Sequence, residues 1–200
     1  MAIIEVFGMT GAGKSTVVSQ AVESTPATTV TGWDRRSVAR FVLRNPSWAI
    51  LTYSLIRRTT AGDKKTLAKE SLVAGSQLEL AMRFSSEGHI VIVEEGPFQR
   101  YLALAARAPD RPSIQIASRY VASMPRADGY LWLETSVETS LQRVNARPRH
   151  QGLRASSDFI AKSKAHARTL VEALGGTTAV LASQNDLLKF IRLLQLRGGH

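Results

Sequence analysis

The sequence predicts an α/β protein: a parallel β-sheet with helices on both faces. Three observations carry that expectation. Short apolar, β-branched runs recur along the chain with helical segments between them, as parallel strands require because each crossover needs a helix. The first run, Ala2-Ile3-Ile4-Glu5-Val6-Phe7, opens directly into Gly8-Met9-Thr10-Gly11-Ala12-Gly13-Lys14-Ser15 and then into a helical segment. The 200 residues are enough to bury a core without covalent cross-links.

Taken in order, Ala2 to Phe7 reads as a buried strand. Behind the glycine-rich turn, Thr16 to Val22 sets Val17, Val18, Ala21 and Val22 on one helical face. Thr28 to Trp33 is a weaker strand. Asp34 to Arg58 reads as helical with a break at Asn45-Pro46, since the residue before proline resists helical dihedrals. Lys64 to Glu87 is a long helical segment. Its apolar positions, Leu67, Leu72, Leu78, Leu80, Ala81 and Phe84, are irregular enough to predict a break near Gly75, and Gly88 closes it. His89 to Val93 is the clearest strand. Helical segments follow at Phe98–Arg107 and Pro112–Ser123. Tyr130–Leu133 and Thr177–Ala182 are the fourth and fifth strands, and Asn185–Leu196 is a closing amphipathic helix. No repeat or low-complexity linker divides residues 1–200, which read as a single domain.

Composition narrows the class. There is no cysteine, which excludes disulfide scaffolds, thiolate metal sites and cysteine nucleophiles. The glycine-rich motif starts at residue 8, so no signal peptide is expected. The most apolar stretch, Trp48 to Ile56, is too short to span a bilayer. A cytoplasmic protein without membrane attachment is the expectation, and a homodimer is compatible with it. The net charge of +10 comes from 26 basic and 16 acidic residues. The basic residues are scattered and lack interleaved aromatics, which speaks against nucleic acid and for polyanionic small molecules.

Gly8 to Ser15 spells G-x-x-x-x-G-K-S between a strand and a helix, the context of a P-loop. Glycines let the backbone curl so that N–H groups converge on phosphate oxygens, and the helix N-terminus adds its positive end. Gly8, Thr10, Gly11, Ala12, Gly13, Lys14, Ser15 and Thr16 are therefore the candidate nucleotide-binding residues, with Lys14 at the β/γ-phosphates and Ser15 on Mg²⁺.

The strand His89–Val93 runs into Glu94-Glu95-Gly96-Pro97-Phe98-Gln99-Arg100. Ligands of open parallel sheets sit at the carboxyl ends of the strands, so two carboxylates emerge at the rim that carries the P-loop. Alternation lets only one face it. Glu94, first off the strand, is the candidate base and metal ligand; Glu95 is the reserve, and a salt bridge to Arg100 is the structural alternative. A third landmark is basic. Arg143 and Arg147 lie four apart on one helical face, Arg149 and Arg154 follow, and Pro148 and Gly152 break the segment into a loop. Arginine forks suit phosphoryl oxygens, so Arg147 and Arg149 are catalytic candidates on a lid over about residues 136–157.

In these features the chain resembles the nucleotide and nucleoside kinase group of P-loop proteins, and the thymidylate kinase and deoxynucleoside kinase branch in particular. Gly8–Ser15 matches the P-loop, and Val91–Glu95 stands where that branch has a strand ending in Asp-Arg or Glu-Arg. Arg126 to Thr135, followed by Leu141, Arg143 and Arg147, is similar to its strand, helix and lid. Leu181-Ala182-Ser183-Gln184 resembles a loop that lies against adenine. The resemblance implies a three-layer P-loop kinase sandwich with a five-stranded sheet in the order 2-3-1-4-5. It also implies ATP and Mg²⁺ as cofactors, Gln184 and Arg143 at the nucleotide, and γ-phosphoryl transfer to a small-molecule acceptor, a hydroxyl or a phosphate. Two departures bear on the acceptor. Glu95 replaces the branch's arginine, and Gly32-Trp33-Asp34-Arg35-Arg36 lacks its Glu-Pro pattern. Trp33 and Arg35, with Glu95 and Arg100, are acceptor-site candidates by position, a buried Trp33 being the alternative. Arg83 and Arg119 are weaker candidates, and His150 and His166 carry no metal signal. Two other activities fit the same landmarks: an ATPase that couples hydrolysis to a partner, with Glu95 polarising water, and a polynucleotide 5′-kinase suggested by net charge alone.

Overall fold

The first strand, β1 (Ala2–Gly8), is buried along its whole length. A strand buried on both faces belongs mid-sheet, with helices above and below. In the computed structural model, which describes all residues except 1, 31, 60–63, 109–113, 126, 147–155, 176–177, 182–186 and 193–200, and at 178–181 the backbone alone, β1 takes that place. It pairs in parallel with β3 (Ile90–Val93) on one side and β4 (Gly129–Leu133) on the other. β2 (Thr28–Thr29) lies beyond β3 and β5 (Thr178–Leu181) beyond β4, so the order is β2-β3-β1-β4-β5, as expected. β2 is shorter than the predicted Thr28–Trp33 because it is an edge strand that the chain leaves early: Gly32 and Trp33 are exposed.

The described helices include α1 (Lys14–Ser24), α2 (Arg35–Arg44), α3 (Pro46–Arg58), α4 (Lys64–Ser86), α5 (Pro97–Ala105), α6 (Ile114–Ala122), α7 (Val137–Asn145) and α8 (Ser157–Leu174). Side-chain alternation along β1 separates two cores. Ile3 and Phe7 join Phe41 of α2, Trp48 of α3, Leu78 of α4, Phe98 of α5, Tyr120 of α6 and Leu170 of α8. Ile4 and Val6 join Val18 and Ala21 of α1, with Leu187 and Ile191 from helical residues 187–192. The result is three layers, helices on each face of one sheet.

Local chemistry explains most boundaries. Asp34 caps α2, its carboxylate accepting from the N–H groups of Arg36 and Ser37. The predicted break at Asn45-Pro46 is present: Asn45 leaves helical dihedrals, and Pro46 starts α3 where a missing N–H does no harm. Gly88, at φ 108°, ends the α4 segment while the N–H of His89 donates to the Phe84 carbonyl. The expected break near Gly75 is absent, and α4 runs unbroken. Gly75 serves close packing instead: a Cβ there would collide with the ring of Phe41, which is itself held edge-on against Trp48 at 4.8 Å.

α8 is the one long element that the sequence pattern does not predict. Its buried stripe, Ile160, Ser163, Ala167, Leu170 and Leu174, has helical spacing, but serine and alanine dilute its hydrophobicity. Among the described residues no helix is long and apolar enough to cross a membrane.

Alanine normally outranks glycine inside a helix by about 1 kcal/mol. Gly75→Ala should nevertheless destabilise the protein by about 1–3 kcal/mol, because the methyl overpacks a ring that cannot swing away. The urea midpoint measures this, and a more stable variant would contradict the α2–α4 packing.

Candidate functional site

The P-loop runs from the end of β1 to the start of α1. Gly11 and Gly13 hold φ values of 83° and 93°, the left-handed region in which L side chains are strained. Space reinforces the requirement: a Cβ on Gly11 would strike the Ser140 carbonyl oxygen, and one on Gly13 would stand 3.1 Å from Nη1 of Arg143. Between them the N–H of Ala12 closes a turn onto the Met9 carbonyl at 3.1 Å. Helix α1 begins at Lys14, so its free N–H groups and positive dipole end face the concavity of the loop. Nζ of Lys14 donates to the carbonyls of Gly8 (3.2 Å) and Met9 (3.1 Å), which holds the ammonium across the loop. Thr10 is half-buried, and Ser15 and Thr16 are exposed at the first turn of α1.

The two glutamates after β3 part company. The Ser15 hydroxyl donates to Oε1 of Glu94, so this carboxylate meets the P-loop. Glu95 is exposed and pairs with Nη2 of Arg100 at 2.6 Å, the structural alternative foreseen for it. Nη1 of Arg100 binds Glu70 of α4 at 2.7 Å, which leaves that guanidinium clamped between two carboxylates. Arg143, from α7, donates through Nη1 to the carbonyls of Ala12 (3.0 Å) and Gly11 (3.5 Å) and so sits directly on the loop. The structure thus brings together Gly8–Thr16, Glu94 and Arg143.

The other candidates lie elsewhere or beyond the described residues. Trp33 is half exposed, so the buried alternative does not apply. Arg35 opens α2 in solvent, past the end of β2. Arg83 forms an exposed i,i+4 pair with Glu87, and Arg119 lines a groove between α3 and α6 with Ser47, Ile50 and Arg58. His166 is buried in α8. Arg147, Arg149, His150, Arg154 and Gln184, and with them the centre of the expected lid, fall outside the described residues. The flanks of that segment are described: α7 at Val137–Asn145 and the start of α8. Met9 of the P-loop packs with Ile160, Val137, Leu141, Val144 and Phe159, and the guanidinium of Arg107 stacks 4.5 Å above the Phe159 ring.

Two residues at this site escaped sequence reasoning. Glu5, in the middle of β1, is 1% exposed, and its Oε1 accepts from the N–H groups of Phe98 (2.7 Å) and Gln99 (3.4 Å). The side chain of Gln99 in turn accepts from the N–H of Gly8 at 3.0 Å. A charged residue inside an otherwise apolar strand was the available signal for Glu5. For Gln99 there was none, because its role depends on where α5 docks. Burial pushes the Glu5 carboxyl from 4.5 up to about 8, against the pull of the Phe98 and Gln99 amides.

Solved structures of two kinases share this architecture. Deoxyadenosine kinase from M. mycoides with bound dATP matches with a TM-score of 0.57 and 14% identity, over 98% of this chain and 100% of that one. The same enzyme with products dCMP and a flexible dCDP bound matches at 0.54 and 13%, over 98% and 99%. Thymidylate kinase from Candida albicans matches at 0.57 and 15%, over 98% and 92%. What is shared at these identities is the fold, that of P-loop nucleoside and nucleotide kinases. No protein-family model matches the sequence, and no curated protein does.

A carboxyl whose pKa is higher folded than unfolded binds its proton more tightly in the folded state. The stability it contributes is complete below about 4.5 and is lost as pH rises through about 8. The urea midpoint of the wild type should therefore fall between pH 6 and pH 9, and Glu5→Gln should flatten that part of the curve. Equal slopes in the two proteins would show that Glu5 does not titrate there.

Proposed function

We propose that this chain is a kinase: an ATP-dependent phosphotransferase that moves the γ-phosphoryl of ATP-Mg²⁺ to a hydroxyl or phosphate of a nucleoside, nucleotide or other metabolite. The observation that carries the reading is the hydrogen bond from Ser15 to Glu94. It joins the P-loop serine and the first carboxylate after β3, the two oxygen donors a P-loop phosphotransferase needs on either side of its metal and acceptor.

The residues present fit ATP and Mg²⁺. Mg²⁺ favours one or two protein oxygens completed by phosphate oxygens and water rather than an all-protein cage. Ser15 and Glu94 supply such oxygens, and among the described residues no group of three or more His, Cys, Asp or Glu could hold a metal. When bound, the ion would neutralise charge on the transferred phosphoryl group. The loop N–H groups and the α1 terminus orient the phosphates, and Lys14 exchanges its two carbonyl partners for phosphate oxygens. Arg143 adds positive charge at the loop's other edge. Glu94 accepts the proton of an attacking hydroxyl.

Arg147 and Arg149 act from the lid, and Gln184 contacts the base of the nucleotide. Trp33 and Arg35 stand on the acceptor side, because β2 pairs with β3 and its chain leaves the sheet at the rim where Glu94 emerges. The Glu95–Arg100 pair borders the same side. Nucleosides and nucleotides are the first acceptors to test, since the similar structures carry the names deoxyadenosine kinase and thymidylate kinase. The reading extends to a single domain over residues 1–200 in the cytoplasm, with a small molecule rather than nucleic acid as partner.

ATP turnover measured with and without a panel of nucleosides, nucleotides and sugars tests the proposal. Large acceptor-dependent stimulation is expected, whereas steady turnover without acceptor would identify an ATPase. In the responsive pair, Glu94→Gln should lower kcat by about 10²–10⁴-fold with little change in the KM for ATP, because the amide keeps the shape and loses the proton affinity. Lys14→Ala should nearly abolish turnover while the fold persists; retained turnover at wild-type ATP affinity would overturn the P-loop assignment.

A further inference from the structure

We infer that Glu5 and Gln99 are positioning residues that fix the reach of Glu94 to the P-loop. The inference rests on the kinase reading for what Glu94 does, but its geometry stands by itself. Only Glu94, Glu95 and Gly96 connect β3 to α5, so wherever the first turn of α5 is held, Glu94 is held within three residues of it. That turn has few ways of being fixed from within. Gly96 provides no side-chain cap. Pro97 has no N–H, and the N–H of Arg100 already makes the first intrahelical bond, to Gly96 at 3.1 Å. The orphan donors are Phe98 and Gln99, and both go to the Glu5 carboxyl, at 2.7 and 3.4 Å.

The second tie runs the other way. Gln99 accepts from the N–H of Gly8, the residue that opens the P-loop. The middle of β1 therefore grips the helix through Glu5, and the helix grips the start of the loop through Gln99. Behind them, the Tyr120 hydroxyl donates to the Pro97 carbonyl at 2.9 Å and accepts from Trp48 Nε1 at 2.9 Å, which blocks drift of the turn away from the sheet. The fit around the carboxyl is close: a Cβ on Gly96 would stand 2.5 Å from Oε1 of Glu5. The residue that follows the two rim glutamates is a glycine because this carboxyl occupies the space.

A helix cap alone does not call for such an arrangement. A serine or aspartate at position 96 would cap α5 locally without placing a carboxyl in an apolar core, where it is costly to desolvate. A cap delivered from β1 does what a local cap cannot: it registers α5, and with it Glu94, against the strand that carries the P-loop.

The test uses paired substitutions in the full chain. Glu5→Leu and Gln99→Leu remove the acceptor oxygens at similar volume; Glu5→Gln and Gln99→Glu keep them. Misplacement of a reacting group by about 1 Å costs on the order of 10²-fold, so each leucine variant should lose about that in kcat while its KM for ATP stays within about threefold. The conservative variants should return to within about threefold of wild type. A second readout needs no turnover. The Mg²⁺ concentration that half-saturates ATP binding should rise about 10–100-fold in the leucine variants, as when a support of a metal ligand is lost. Folded leucine variants with wild-type kcat and Mg²⁺ dependence would overturn the inference, as would conservative variants no better than leucine. Failure of the kinase reading would look different: the wild type itself would show no acceptor-dependent transfer, and the Mg²⁺ titration would still decide the role of Glu5 and Gln99.

Discussion

The parallel register of β1 against β3 is the constraint on which the rest of the structure depends. Glu5 lies level with Val93, where β3 stops, while β1 continues for three more residues to Gly8. The chain therefore leaves β3 as Glu94 one strand away from the P-loop, and the Ser15 hydroxyl at the start of α1 is close enough to donate to it. A slip of one residue would exchange Glu94 for Glu95, whose side chain alternation sends to the other side, where it now pairs with Arg100. In this register Ile4 and Ile92 pack in one core and Ile3 and Val91 in the other.

Around that register the site is organised by charge. Lys14, Arg143 and the end of α1 set positive potential on the P-loop side, and Glu94 faces them with a single carboxylate. Arg100, the arginine of α5, is taken up by Glu70 and Glu95 at 2.7 and 2.6 Å. Glu95 therefore bears on Arg100 and not on the P-loop. On the proposed acceptor side one arginine is thus already paired, and Trp33 and Arg35 are exposed.

Much of this was legible in the sequence because the signals were local. The P-loop is a contiguous string, Glu94 follows the clearest strand, Asn45-Pro46 breaks a helix by its own sterics, and the strand order follows from a P-loop strand set mid-sheet. What escaped depends on packing between distant segments. Gly75 looked like a helix break because the Phe41 ring that needs its bare Cα is 34 residues earlier. α8 gives little local signal because Ser163 and Ala167 interrupt its buried stripe and its polar positions resemble a loop. Glu5 looked like one polar residue in an apolar run, since its partners, the amides of Phe98 and Gln99, lie on a helix more than ninety residues later.

The most direct measurement is a crystal structure of the protein with Mg²⁺ and a non-hydrolysable ATP analogue. The account predicts triphosphate in the concavity between Gly8 and Ser15, Nζ of Lys14 turned from the Gly8 and Met9 carbonyls to a phosphate oxygen, and the metal within reach of both Ser15 and Glu94. Nucleotide bound away from the loop, or a metal held by neither Ser15 nor Glu94, would contradict it.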